Sequence, residues 1–168
     1  MTIDTFADTD LRSHLGTPWR PVSDAVMGGV SRAYVARDWL DGRPCLRLRG
    51  DVRLENNGGF IQAALDLSPS GTGLDASAYR GLRLVVRGNG EQYSLHLRTP
   101  DNSRPWQSYR AHFTAGFHWQ SIDLPFESFA PYRLDVPLDI TRVRRIGLVA
   151  IGRAFHADLA VAEIAFYR

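Results

Sequence analysis

Along much of this chain apolar and polar residues alternate in short runs. Tyr93, Leu95 and Leu97 interleave with Ser94, His96 and Arg98, and Tyr109, Ala111 and Phe113 with Arg110, His112 and Thr114. Leu46 and Leu48 alternate with Arg47 and Arg49, and Val52 and Leu54 with Arg53 and Glu55. A period of two is the signature of a half-buried strand. Leu82–Arg87, Arg145–Ile151 and Ala157–Phe166 are further candidate strands. The last is Ala-rich and open to a helical reading, but its Leu159 and Val161 alternation and its Tyr167-Arg168 end favour a strand. Asn89-Gly90 falls between Leu82–Arg87 and Tyr93–Arg98 and reads as a hairpin turn, since both residues tolerate positive φ. Ser68–Gly73, Thr99–Pro105 and Pro125–Pro137 read as connections rich in turn residues. Many short strands punctuated by Gly and Pro predict an all-β jelly-roll β-sandwich. There is no internal repeat, low-complexity tract or linker. Residues 1–16 read as an N-terminal leader with a short helix around Asp8 to Leu15, and residues 17–168 as a single β-sandwich domain.

Composition narrows the function more than the fold. A chain of 168 residues, 44% hydrophobic and 23% charged, is an ordinary globular domain. No apolar run approaches a membrane span, so no membrane insertion is expected. Met1–Asp10 has no basic region and no apolar run, which argues against a secretory signal or an Arg-rich presequence. The expectation is a cytoplasmic, bacterial protein. The 20 basic residues are all Arg, which excludes Schiff-base and phosphate-loop lysines. Net charge is only +2 and the arginines are dispersed, so no nucleic-acid partner is indicated. Cys45 is the one cysteine, in a strand-like run, and reads as a small buried hydrophobe.

Chemistry-bearing patterns are sparse. His14, His96, His112, His118 and His156 form no zinc-type pair, and no Gly-x-Ser-x-Gly elbow exists. Asp51, Glu55 and Asp158 could ligate a structural Ca²⁺, but no calcium-loop spacing is present; no metal and no cofactor are expected. Two glycine clusters stand out: Asp24-Ala-Val-Met27-Gly28-Gly29 and Asn56-Asn57-Gly58-Gly59. They read as structural loops packed on one another or as loops for a ligand or partner. Trp119, in Phe117-His-Trp-Gln120, reads as core. Trp106, in Arg104-Pro-Trp-Gln107, reads as a stacking platform or as a plug for one end of the sandwich.

The run Trp19…Ser23-Asp-Ala-Val-Met-Gly-Gly-Val-Ser31, then Glu55-Asn-Asn-Gly-Gly-Phe60, then Asp75-Ala-Ser-Ala-Tyr-Arg-Gly81 resembles the complex I intermediate-associated protein family. Gly88-Asn-Gly90…Tyr93 and Leu124-Pro-Phe126…Phe129-Ala-Pro131 extend the likeness from Trp19 to nearly the end of the chain. The resemblance implies a galactose-binding-like jelly roll, a fold shared with many carbohydrate-binding modules. Eukaryotic members help assemble the mitochondrial NADH:ubiquinone oxidoreductase, and no catalytic residues are recognised for the domain. The expected function is therefore non-catalytic binding or assembly, with a protein partner such as respiratory-complex subunits. Alternatives are a carbohydrate-binding module with a glycan ligand, and an undetected hydrolase.

Alternation also locates a candidate surface. With Tyr93, Leu95 and Leu97 in the core, Ser94, His96 and Arg98 face the other way, beside Arg110 and His112 if the two strands are neighbours. Such a face supplies planar donors for sugar hydroxyls or for carboxylates, with Trp106 at its rim. An ordinary solvated face is the plain alternative.

Overall fold

The computed structural model describes all residues, Met1–Arg168. Twelve strands carry the chain: β1 Thr2–Asp4, β2 Arg20–Ser23, β3 Tyr34–Leu40, β4 Arg43–Val52, β5 Phe60–Asp66 and β6 Gly81–Arg87, then β7 Gln92–Arg98, β8 Ser108–Thr114, β9 Gln120–Pro125, β10 Ala130–Tyr132, β11 Arg145–Ile151 and β12 Phe155–Tyr167. They form two antiparallel sheets. One runs β3-β4-β12-β6-β9, with β1 added to β12; the other runs β10-β8-β7-β11-β5-β2. There is no α-helix, only four single turns of 3₁₀ helix. No helix is long and apolar enough to cross a membrane.

Alternation explains the core. Leu46, Leu48, Leu82, Leu84, Leu159 and Val161 of the first sheet meet Ile61, Leu65, Leu95, Leu97, Ile146 and Leu148 of the second, all fully buried. Apolar area removed from water stabilises at roughly 25 cal/mol per Å², so this interleaved layer is the main source of stability. Ala157–Phe166 is a strand, as its alternation indicates, paired with β4 along one half and β6 along the other. Cys45 is buried but lies outside this core cluster, its Sγ 3.5 Å from the Asp38 carbonyl.

Three expectations need correction. Asn89-Gly90 is not a hairpin: β6 and β7 belong to different sheets, and residues 88–91 cross between them. Asn89 instead bridges the layers, donating Nδ2 to the His156 carbonyl and accepting from the Tyr93 hydroxyl. The two-residue hairpin is Asp41-Gly42, both at positive φ (50° and 73°), which joins β3 to β4. Residues 1–16 hold no helix around Asp8 to Leu15 and are part of the fold: β1 pairs with β12, Ile3 and Phe6 lie in the core, and the Trp19 indole donates to Asp4. Trp119 is half-buried outside any strand, its ring under Arg43.

Candidate functional site

The two glycine clusters meet around one carboxylate. Asp24 is fully buried. Its Oδ1 accepts from the Ser31 N–H at 2.9 Å, and its Oδ2 accepts from the Ser31 hydroxyl at 2.5 Å and from the N–H groups of Gly59 and Phe60 at 2.6 and 3.3 Å. Asn56 adds a bond from Nδ2 to the Gly28 carbonyl. Each glycine pair then splits its duties. Gly28 and Gly59 take positive φ (86° and 132°), while Gly29 and Gly58 leave room for the carboxylate, where a Cβ on either would strike Asp24. Burial pushes the Asp24 carboxyl up. The bonds from Ser31, Gly59 and Phe60 outweigh it and hold the pKa below the usual carboxylate value.

The groove lies on the outer face of the second sheet. It has a volume of about 990 Å³ and is open to solvent, at the upper end of the roughly 300–1,000 Å³ usual for ligand sites. Register builds its floor. Ser94 pairs with His112, and His96 with Arg110, on β7 and β8; β11 lies on the other side of β7 and places Arg145 beside Arg98. His96, Arg98, Arg110, His112 and Trp106 all line this one groove. At one end β11 and β5 bring Ile151 beside Phe60, next to the loop carrying Val26 and Met27 and the turn carrying Leu54. At the other end Arg98 leads into the loop that carries Arg104 and Trp106. From Arg145 to Ile151 the floor runs roughly 20 Å, at about 3.3 Å per residue.

The side chains differ in how free they are. Arg98 Nη1 donates to the carbonyls of Arg104, Pro105 and Gln107, so it clamps the Trp106 loop and is not a free donor there. Arg110 donates to the Ser108 hydroxyl and lies 3.6 Å over the Tyr132 ring. His96 is 8% exposed, with Nε2 2.8 Å from the Ser94 hydroxyl. Burial, then the charge of Arg110 and of His112, drives its pKa well below the ordinary 6.5, so it is a neutral group of the floor. Burial also lowers the pKa of Arg98, helped by Arg145 and Arg144. His112 and Trp106 are exposed, Trp106 at 50%.

Met27 also lines the groove, as do Asn57, Gly58 and Gly59, so the glycine loops form one wall of it. Gly28, Gly29, Asn56 and Asp24 do not line it. Sequence reasoning missed Gln62, Tyr132 and Arg144. Tyr132 sits on β10, a three-residue edge strand too short to show a pattern. Each of the suggested calcium ligands is instead held in an ion pair: Asp158 with Arg47, Glu55 with Arg53 and Asp51 with His156.

The two-sheet jelly roll is a fold that this chain shares with carbohydrate-binding modules. The family 11 module of the cellulosomal cellulase Lic26A-Cel5E of Clostridium thermocellum superposes with a TM-score of 0.76 at 14% identity, covering 99% of this chain and 93% of that one. The same organism's family 11 module in complex with a β-1,3-1,4-mixed-linked tetrasaccharide gives 0.75 at 14% identity, covering 99% and 94%. The family 30 module of its cellulosomal cellulase Cel9D-Cel44B gives 0.68 at 16%, covering 99% and 98%. At such identities the likeness is one of fold. Sequence identifies the family: the complex I intermediate-associated protein 30 (CIA30) profile matches residues 6–161, and the chain belongs to that family. No curated protein sequence matches it.

Proposed function

We propose that this is a non-catalytic binding domain that serves as an assembly accessory, holding a protein partner, such as subunits of a respiratory complex, in the groove of the second sheet. The observation that carries the reading is the groove itself, an open channel floored by Arg and His in a member of the CIA30 family. A catalytic reading finds little to use. Ser94 and His96 touch, but Ser94 is wholly buried, and no carboxylate lines the groove to orient the imidazole. The one cysteine, Cys45, is free and buried, which suits a reducing cytoplasm.

A glycan is the second reading, favoured by the fold shared with a module solved with a tetrasaccharide and by the exposed Trp106. It is weaker because the other exposed aromatic of the groove, Tyr132, already packs against Arg110 and Arg133, at 3.6 and 5.4 Å. Affinity capture with the tagged full chain from its native cells, run beside a glycan array, separates the two. Capture of respiratory-complex subunits or their assembly intermediates, diminished by Trp106→Ala, supports the assembly reading. A glycan hit with no specific protein capture replaces it with the second. Turnover of any captured material removes the non-catalytic claim.

A further inference from the structure

The groove has two chemically different ends, and its ligand must match both. Arg98, Arg104, Arg110, Arg144 and Arg145 all line it, and not one Asp or Glu does. Across the rest of the molecule arginine is repeatedly matched with a carboxylate, as in Arg47 with Asp158, Arg83 with Asp123 and Arg142 with Asp139. Among the groove's arginines only Arg145 is in an ion pair, with Asp66. Arg104 and Arg144 make no side-chain hydrogen bond within the chain. Burial and neighbouring cations together depress the pKa of Arg98 and of His96, as expected where positive charge is crowded and uncompensated.

The basic residues gather where Arg98 sits beside Arg145. The opposite end, where Ile151 sits beside Phe60, is walled by Val26, Met27 and Leu54, exposed to 74%, 46% and 49%. Three exposed aliphatic side chains on one wall are an apolar patch looking for a partner. They stack poorly on sugar rings but pack well against Leu, Val or Phe. Rim charge at the other end adds steering and specificity for carboxylates.

We infer that the groove accepts an extended segment of another protein, about six residues long, with apolar side chains at one end and carboxylates at the other. This rests on the protein-binding reading above. Main chain laid along the roughly 20 Å floor matches six residues at about 3.3 Å each. Apolar side chains enter between Met27 and Ile151, and carboxylates meet Arg104 and Arg144, whose planar forks donate to them bidentately. A neutral glycan leaves the arginines unmatched. A uniformly acidic glycan leaves Val26, Met27 and Leu54 facing water.

The test uses the full chain and fluorescein-labelled seven-residue peptides in both orders, apolar-then-acidic and acidic-then-apolar. Controls carry Gln and Asn for the acids, or Ser for the apolar residues; tetragalacturonate and a mixed-linked glucan tetrasaccharide complete the panel. One of the two orders should bind about tenfold or more tighter than either control. That binding should weaken several-fold from about 50 to about 300 mM salt. It should fall in Arg104→Gln/Arg144→Gln and in Met27→Ser, with melting temperature nearly unchanged. Equal binding of the uncharged control, or tetragalacturonate binding as tightly, overturns the inference. If no peptide binds while the tagged chain still captures its cellular partner, the inference fails and the assembly reading stands. If the peptides bind as described but no partner is captured, the inference about groove chemistry stands and the assembly reading fails.

Discussion

The Asp24 junction and the groove are both polar, they are neighbours, and their polarity has opposite meanings. Around Asp24 a buried acceptor is saturated: the Ser31 hydroxyl and the N–H groups of Ser31, Gly59 and Phe60 converge on two oxygens, and four glycines are shaped around them. Nothing is left over for a ligand. In the groove the count is unbalanced: its arginines find backbone carbonyls, an aromatic face or nothing, only Arg145 meets a carboxylate, and no carboxylate lines the groove itself. Unmatched donors on an open surface are available for recognition, whereas matched ones in a closed site are structure.

The largest expected effect that sharpens this contrast is Asp24→Ala. It strands the Ser31, Gly59 and Phe60 donors in a buried site, and each unpaired buried donor costs about 1–3 kcal/mol, so a loss of about 3 kcal/mol or more is expected in urea unfolding. A loss under about 1 kcal/mol would mean the junction is not what holds the loops. Next comes Gly59→Val, or Gly28→Val, which forces a β-branched residue into positive φ at a cost of about 1–3 kcal/mol. If both variants melt as the unmodified chain does, the glycines are not conformationally required.

Arg98→Ala comes third. It removes the clamp on the Arg104, Pro105 and Gln107 carbonyls and should cost about 1–2 kcal/mol while raising proteolysis within residues 99–107. That makes Arg98 a mixed residue, part structure and part groove. The mildest effect is on pH. His96 has a folded pKa well below 6.5, so its contribution is complete above that value and declines as pH falls beneath it, because the unfolded chain then binds a proton that the folded one refuses. Asp24 contributes above the ordinary carboxylate range and its share is lost at more acid pH, as the medium passes through its lowered folded pKa. Unfolding free energy should therefore drop slightly between about pH 7.5 and 5.5, and His96→Gln should flatten that drop. An unchanged slope in His96→Gln would assign it to another group.

Alternation alone revealed which way side chains point, and hence which residues share the groove. His96, Arg98, Arg110 and His112 were legible because β7 and β8 are adjacent both in sequence and in the sheet. It could not say which sheet a strand joins. Asn89-Gly90 looks like a turn between partners, yet the chain uses it to change layers, because Asn89 bonds across the sandwich to Tyr93 and His156. Asp41-Gly42, a true hairpin, went unread because β3 has Ala, Arg and Asp in its middle and no clean apolar period. The leader reading failed for a related reason. Thr2–Asp4 is too short to show a pattern, although Ile3, Phe6 and Trp19 are buried. Loop-borne and edge residues such as Arg144 and Tyr132 reach the groove only through long-range contacts, which no local pattern encodes.

The central claim is that the face bearing His96, Arg110 and Trp106 is the one that binds. Hydrogen–deuterium exchange of the full chain, alone and with the protein partner it captures, tests this most directly. Slowed exchange is expected in residues 99–112 and 144–152 and in the loop around Met27, with β3 and β9 of the opposite sheet unchanged. Protection confined to Tyr34–Leu40 and Gln120–Pro125, with the groove exchanging as freely as before, would contradict it.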